Sequence, residues 1–555
     1  MARLRKVELA LVLVAILAYY CIVEDGSSSI LQGGRAIARQ AISILPPETA
    51  VSVRFWLHQA EQQAAASRAA LFTLLWPSSS EALHAANEQL SKDVRLTLWW
   101  MGPAFSGGGY SSELISFAKS LSPFVRMRIT QHGDAFSWSF VAGLPKNVSA
   151  LLHTLAATAS QPGESIVVCH SEPGAWNPSL YRTSPCPVLE LEEVSRREEV
   201  VGPKPSYPND VARVHAEGRM RSAYTIGRTM FEADRIVPEW VRRCNAMDEV
   251  WVPTGFHVEA FAASGVHPDK IVKIPEAVDV EFFDPSKHLP MALPAGQLAV
   301  GQPIDTATAT AADHFAFLSV FKWEPRKAWD VLIKAYLLEF ASSAHRDKVA
   351  LYLLTNPFHG DGNFELQIRQ LITQTGDAEL AQAPLDQLPP IYILDQHVPE
   401  EQLPSLYKAV NCVVIPSRGE GWGRPHVEAM AMGLPLIATN WSGPTEYLNS
   451  NNGYPLAIDG LTVIESGAYR GLKWAQPSLS HLRSLMRHVF VERNGDALRK
   501  GSQARRDMIA HYRPERVAQV VLARLLHIQR LVDDRKAKQQ EQQQHQQQPA
   551  DALVP

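Results

Sequence analysis

The chain lacks several things that would have named its chemistry early. Five cysteines in 555 residues are too few and too scattered for a disulfide scaffold, and none has the spacing of a zinc site. Cys169 and Cys186 flank a polar loop; they either pair in an oxidising lumen or stand as two ordinary free thiols. Neither sign of charge dominates, since 53 Lys and Arg oppose 57 Asp and Glu for a net charge of −4. The basic excess that grips nucleic acid is missing, so nucleic acid is not an expected partner. No glycine loop runs into Gly-Lys-Ser/Thr, which excludes a Walker phosphate loop. Asp-x-Asp triplets are absent too.

Long apolar runs are scarce, and the clear one is terminal. "LALVLVAILAYYCIV", residues 9–23, follows Arg3, Arg5 and Lys6. It is short against the ~20 residues of a typical membrane helix. No small-x-small cleavage site follows it, because "YYCIVEDG" is bulky and then acidic. An uncleaved signal anchor over residues 1–25 is preferred to a cleaved signal peptide. Either places the rest of the chain in the secretory lumen, since the basic flank stays cytosolic. The expectation is a single-pass type II protein of the Golgi or endoplasmic reticulum membrane. Asn147-Val-Ser149 and Asn440-Trp-Ser442 match the glycosylation pattern, although modification at Asn440 would obstruct the region described next.

What is present is ordinary globular material, 46% apolar and 20% charged, enough for more than one domain. Residues 26–91 read as a stem. Beyond them β and α patterns alternate: "VRLTLWWM" opens at 94, "ESIVVCH", "DEVWVPT" and "KIVKIP" follow, and "HFAFLSVFKW" begins a second series. Such alternation predicts parallel sheets. The fold class is α/β, with two tandem Rossmann-like, doubly wound domains over 92–285 and 313–505 facing across a cleft. An Ala/Pro/Thr-rich insert, 286–312, separates them. A terminal helix is expected over 506–532 and a disordered Gln-rich tail over 533–555.

The densest signal is "SRGEGWGRPHVEAMAMGLPLIATNWSG", 417–443. A buried strand, "AVNCVVIPS", leads into it and another, "LPLIATN", follows. Gly419, Gly421 and Gly423 let the backbone approach a ligand closely. The amides of Gly421, Trp422 and Gly423 precede a helix N-terminus, which favours an anion such as a diphosphate. An acid within such a loop repels phosphate unless it faces something else, and vicinal hydroxyls of a sugar suit a carboxylate. Glu420 and Glu428 could thus bracket a ligand with a diphosphate in its middle and a diol at each end. A nucleotide sugar has that layout. A plain glycine-rich turn with solvated acids is the bland alternative.

"PSRGEGWGRPHVEAMAMGLPLIAT" resembles the E-x7-E donor signature of family 4 retaining glycosyltransferases of the GT-B fold (glycosyl transferases group 1). "FLSVFKWEPRKAWDVLIKAY", "ILDQHVPEEQLPSLYKAVNCVVIPS" and "AMDEVWVPTGFHVEAFAASGVHPDKIVKIPEAVDVEFFDP" are similar to that family's donor-domain opening, its run into the signature, and its hinge. The resemblance covers about 94–530. It implies that Glu420 contacts donor-sugar hydroxyls, that Glu428 binds the ribose, and that Lys327 stabilises the departing diphosphate. A partner cation is implied a few residues earlier, with Lys322 and Arg326 both open as candidates; "FKWEPRKAW" departs from the commoner "GR…KG" form. His397 lies where backbone groups commonly meet the base. Retention of configuration is implied by the family alone. With no Asp-x-Asp, the resemblance fits a metal-independent site with no cofactor, the nucleotide sugar being a co-substrate.

The acceptor is a carbohydrate, lipid or protein, and its side is less legible. "SGGGY" could let a substrate approach through Gly108 and Gly109, or be a plain tight turn. His215 and Glu232 lie in a polar stretch, with Glu232 before an expected turn at Pro238–Trp240; a structural role for each is as good a reading. A non-catalytic GT-B subunit that binds sugars or scaffolds a complex is the alternative function.

Overall fold

The computed structural model describes residues 79–187, 222–304, 314–342, 344–357, 362–374, 376–395 and 398–547. The apolar run 9–23, the first part of the expected stem, His215 and His397 lie outside the described residues. Among the described residues no helix is long and apolar enough to cross a membrane.

The apolar runs form two parallel sheets. In the first unit β1 (Thr97–Gly102), β2 (Met127–Gln131), β3 (Ser165–His170), β4 (Tyr224–Arg228), β5 (Glu249–Val252) and β6 (Ile271–Lys273) lie in the order β2-β1-β3-β4-β5-β6. Every pairing is parallel. β1, β3 and β5 are buried along their whole length, as strands covered by helices on both faces must be. The strand order reverses between β1 and β3, so their carboxyl-end loops splay apart and leave a crevice.

The second unit contains β7 (Gln297–Val300), β8 (Phe315–Trp323), β9 (Val349–Pro357), β10 (Ile391–Leu394), β11 (Cys412–Ile415), β12 (Leu436–Thr439) and β13 (Tyr454–Leu456), ordered β13-β12-β11-β8-β9-β10-β7. Apart from β7 this is the doubly wound order of dinucleotide-binding sheets, with its switch point between β8 and β11. The two units form the GT-B architecture. A hairpin of β14 (Ile458–Val463) and β15 (Lys473–Pro477) leaves the second unit and packs Ile464 and Leu472 into a core of the first.

Several expected boundaries shift. The segment 286–312 is not a separate insert throughout, since β7 pairs antiparallel with β10 at the sheet edge. Part of the expected stem is α1 (Ser80–Ser91), whose Leu83 and Ala86 are buried. The terminal helix, α5 (Pro514–Gln547), begins later and runs into the expected disordered tail. It crosses back to the first unit, burying Val517, Val521, Leu522, Leu525, Ile528 and Val532 in that unit's core. These positions repeat every three to four residues, the stripe of an amphipathic helix. At about 1.5–3 kcal/mol per buried side chain, the stripe is a major support of that core. Ser80 Oγ donates to Glu515 Oε1 at 2.6 Å and Asn87 Nδ2 to Glu515 O at 2.9 Å, tying α1 to α5. Pro238 opens a helix, Pro238–Ala246, where a turn was expected; proline suits a first helical position because its missing N–H has no partner to lose. Cys169 and Cys186 are joined by a disulfide, which ties the end of β3 to the loop beyond it.

Candidate active site

The second unit's switch point joins two loops. The first follows β8: Pro325–Lys327 make one tight turn before α3 (Trp329–Phe340). Ala328 between them has φ 51°, in the left-handed region that glycine enters most easily. The second loop, 417–423, runs from β11 into α4 (Arg424–Ala431). Arg418 clamps the two together: its guanidinium donates to both oxygens of Asp330 at 3.0 and 2.9 Å.

Glu420 stands where the loops meet. Lys327 Nζ donates to its two oxygens at 2.7 and 2.8 Å, Ser417 Oγ to Oε1 at 2.6 Å, and Arg326 Nη1 lies 3.3 Å from Oε2. The Glu420 amide donates to Ser442 Oγ at 2.9 Å. Burial pushes the carboxyl's pKa up, but Lys327 and Arg326 overcome that and hold it at about 2. Burial and the neighbouring Arg326 lower the Lys327 ammonium's pKa. Arg326 also donates to Glu324 Oε1 at 2.7 Å and to Gly419 O at 2.8 Å. Two cations and one carboxylate thus lie together at the carboxyl ends of β8 and β11.

Of the two cations left open by the sequence, Arg326 is the one beside Glu420. Lys322 lies elsewhere, its Nζ 3.8 Å from where a Cβ on Gly108 would stand. Gly108 itself has φ 94° and caps α2 (Gly109–Leu121). Gly109 has open space around it. Glu232 is drawn to the same cluster, with Oε1 3.4 Å from Arg326 Nη1. That contact sets a carboxylate of the first unit against the Arg326 guanidinium of the second.

Gly419 and Gly421 serve a different approach from the one expected. A Cβ on Gly419 would collide with the Glu232 carbonyl, and one on Gly421 with Met230. Their smallness lets the first unit's 229–232 segment close over the loop. The Trp422 side chain points into the core, leaving its amide as the group expected to face a ligand. It is 2% exposed and its ring packs against Tyr447 and Tyr512 at 5.0 and 5.5 Å. Among the described residues no hydrogen-bond acceptor takes the amides of Gly421, Trp422 or Gly423. Those amides precede α4 and are set for an anion. Gly423, at φ 97°, makes the turn into the helix.

Glu428 lies one turn into α4, buried, and accepts from Tyr407 Oη at 3.0 Å. Burial raises its pKa, against the pull of Arg424. His426 is 1% exposed, and neither ring nitrogen has a partner among the described residues. Burial lowers its pKa to about 4, so the ring is neutral. Sequence reasoning passed over Ser417, Ser442, Arg424 and His426. Of these only His426, a titratable residue inside the glutamate pair, carried a signal. On the first unit it also missed His132, Ser171 and Glu172, which follow β2 and β3. The Ser171 hydroxyl lies 3.2 Å from His132 Nε2. Tyr469, on the hairpin's loop, donates to Glu172 Oε2 at 3.0 Å and so spans the units. Among the described residues no group of three or more His, Cys, Asp or Glu side chains is arranged to hold a metal ion.

Residues 392–465, which contain both glutamates and the loop between them, match the family Glycosyl transferases group 1. Sequence relatives point the same way. The D-inositol 3-phosphate glycosyltransferase of Geodermatophilus obscurus is 28% identical over 180 residues, 32% of this chain and 35% of that protein. The same enzyme of Thermomonospora curvata is 26% identical over 245 residues, 41% of this chain and 51% of its own. The chain therefore spans about a third to a half of the length of the curated relatives it matches. The O-antigen chain mannosyltransferase B of Escherichia coli is 48% identical over 44 residues, 8% of this chain and 12% of its own. Among solved structures, Anabaena HepE in complex with UDP and glucose shares 14% identity at a TM-score of 0.49, covering 77% of this chain and 98% of that one. The matched segment thus includes Glu420 and Glu428, whereas Arg326 and Lys327 lie outside it, in the turn after β8.

Proposed function

We propose that the chain is a retaining glycosyltransferase. It moves a sugar from a nucleotide-diphosphate donor, with UDP or GDP as the nucleotide, to a glycan, lipid or protein acceptor. The observation that carries this reading is the Glu420–Lys327–Arg326 cluster at the second unit's switch point, beside three amides that precede a helix. A diphosphate between the amides and the two cations displaces Glu420 as their counterion. The freed carboxylate then turns to the sugar hydroxyls. As the bond from the anomeric carbon to phosphate breaks, negative charge grows on the diphosphate, where Lys327 and Arg326 stabilise it. The acceptor oxygen bonds to the anomeric carbon, and its proton passes to a donor phosphate oxygen. Two side-chain cations at this position support a metal-independent reaction. Retention rests on the family resemblance, and Glu428 is the expected ribose contact.

The same reading places the enzyme in the lumen of the secretory pathway, anchored through residues 1–25. The Cys169–Cys186 disulfide supports an oxidising compartment. Asn147, exposed in the first turn of its helix, is accessible to glycosylation. The named curated relatives are bacterial, so this location rests on features of the chain itself.

The test is calorimetric titration of the full chain with UDP-, GDP- and ADP-sugars, first without metal and then with magnesium. Lys327→Ala and Glu420→Ala run in parallel. Binding of one nucleotide class without metal, weakened by Lys327→Ala, is the expected result. If the folded chain binds none of these donors, the transferase reading fails and the non-catalytic subunit reading takes its place.

A further inference from the structure

Trp138 is 80% exposed and Phe136 is 42% exposed. Trp138 is the most exposed aromatic side chain among the described residues. Both follow β2, on the loop that leads into the short helix Trp138–Gly143. Their rings meet edge to face with centroids 4.7 Å apart. Phe136 in turn packs against the buried Phe105 at 5.6 Å. Leaving an indole this open to water is unfavourable, so an exposed aromatic cluster marks a contact surface.

The cluster is held firmly to the loop after β1. The Ser137 amide donates to Phe105 O at 2.8 Å. The Gln131 side chain accepts from the Phe105 amide at 3.0 Å and donates to Ser106 Oγ at 2.6 Å and Asp134 O at 2.7 Å. Phe140, two residues beyond Trp138, lies 3.2 Å from where a Cβ on Gly107 would stand. Gly108 is next in the chain, and its missing Cβ faces Lys322 of the second unit at 3.8 Å. The aromatic rings thus stand beyond the carboxyl end of β2, packed on the loop after β1 that carries Gly107 and Gly108.

We propose that Phe136 and Trp138 form the acceptor subsite of this enzyme, a stacking platform for the ring of a carbohydrate. The inference rests on the transferase reading, which needs an acceptor to enter from the first unit. A pyranose presents an apolar C–H face to an aromatic ring and hydroxyls at its edge. Polar groups border the rings: Ser106 Oγ accepts from Gln131 and Ser137 Oγ from the Phe140 amide, which leaves each hydroxyl proton to donate, and Asp134, within the field of Lys322, is an exposed carboxylate suited to a diol. The charge does not suit an anionic lipid surface. Between residues 131 and 147 one acid, Asp134, is set against one lysine, Lys146, with none of the basic clustering that draws a protein to such a membrane.

Saturation-transfer NMR on the full chain tests this with methyl α-glucoside, methyl α-mannoside, lactose and chitobiose, none of which needs a donor to be present. At least one sugar should receive saturation from the wild type. Trp138→Ala should weaken its binding about tenfold, the loss expected for a truncated aromatic anchor, and Trp138→Phe should retain most of it. Calorimetry with UDP and GDP on the same variants should show unchanged nucleotide binding. Normal nucleotide binding with sugar contacts indifferent to Trp138 overturns the platform and leaves the transferase reading standing. So does a wild type that binds none of the four sugars. Flotation with phosphatidylcholine–phosphatidylserine vesicles that is lost in Trp138→Ala assigns the patch to a lipid surface and also overturns the proposal. Loss of nucleotide binding in the wild type is the separate failure of the transferase reading.

Discussion

Two buried carboxylates, one in each unit, solve the same electrostatic problem to different ends. Glu113, on α2, is sealed and fully buried. It accepts from Arg228 Nε at 2.6 Å and pairs with His170 Nε2 at 2.9 Å. Trp100 Nε1 donates to His170 Nδ1 at 2.9 Å, so the imidazole proton sits on Nε2 and points at Glu113. Burial pushes Glu113 up, but Arg228 and His170 hold it at about 2. Glu420 is also held at about 2, but its partners Arg326 and Lys327 are partly exposed, beside amides that no acceptor among the described residues takes. One cluster joins α2 to the sheet. The other offers cations that a ligand can take over. What separates a structural ion cluster from a functional one is the side left open and the groups lining it, not the strength of the pairing.

Substitution should separate the two most sharply in stability. Glu113→Gln leaves Arg228 buried beside a neutral partner, and breaking such a pair costs about 3–5 kcal/mol. Urea unfolding should show that loss, whereas Glu420→Gln should cost less, because Arg326 keeps Glu232 and Glu324 and the Lys327 ammonium keeps the attraction of Glu324. Equal losses would erase the distinction. Activity should invert the ranking: Lys327→Ala should slow sugar transfer about 10²–10³-fold, the usual effect of removing one charge-stabilising group, with unfolding little changed.

Acidity adds a third separation. Both carboxyls titrate near 2 when folded, against an ordinary value of 4.5. The unfolded chain therefore takes up these protons first as pH falls. Their stabilisation is complete above about pH 4.5 and disappears towards pH 2, on the order of 3 kcal/mol for a fully buried group such as Glu113. Glu113→Gln should flatten that part of the pH–stability curve. A smaller effect concerns ligand exchange. If Glu420 occupies the diphosphate's cations, Glu420→Gln should bind the bare nucleoside diphosphate more tightly, by about tenfold or 1.4 kcal/mol, and the ligand should raise its melting temperature. The same ligand should not rescue Glu113→Gln. The smallest expected change is Tyr407→Phe, which removes the hydrogen bond to Glu428 and should cost about 1 kcal/mol without abolishing transfer.

The strands were readable because runs such as "CVVI" and "SIVVCH" are apolar without alternation, as double-sided burial requires. The glycine loop was readable because Gly423 and the helix after it have local chemical reasons to be there. Glu113 was not readable. It sits on a helix like any amphipathic acid, and only the arrival of Arg228 and His170, 115 and 57 residues away in sequence, makes it a buried ion. Gly419 and Gly421 were visible as glycines, but the groups they make room for, Glu232 and Met230, come from the other unit. The burial of the Trp422 ring was not readable either, because Tyr447 and Tyr512, which pack against it, lie 25 and 90 residues further along the chain.

By itself the sequence determined two alternating α/β series, the switch-point loop with Glu420 and Glu428, and the nearby Arg326 and Lys327. Those features are local, set by periodicity, by glycine's freedom at φ above zero and by proline at a helix start. Tertiary structure alone decided which cation meets Glu420, sending Lys322 to Gly108 and Arg326 to the carboxylate. It alone returned α5 to the first unit and set the exposed Phe136 and Trp138 against the loop after β1. The reason is distance: Coulombic and packing energies depend on separation in space, and chain spacing constrains that separation only within a turn or two.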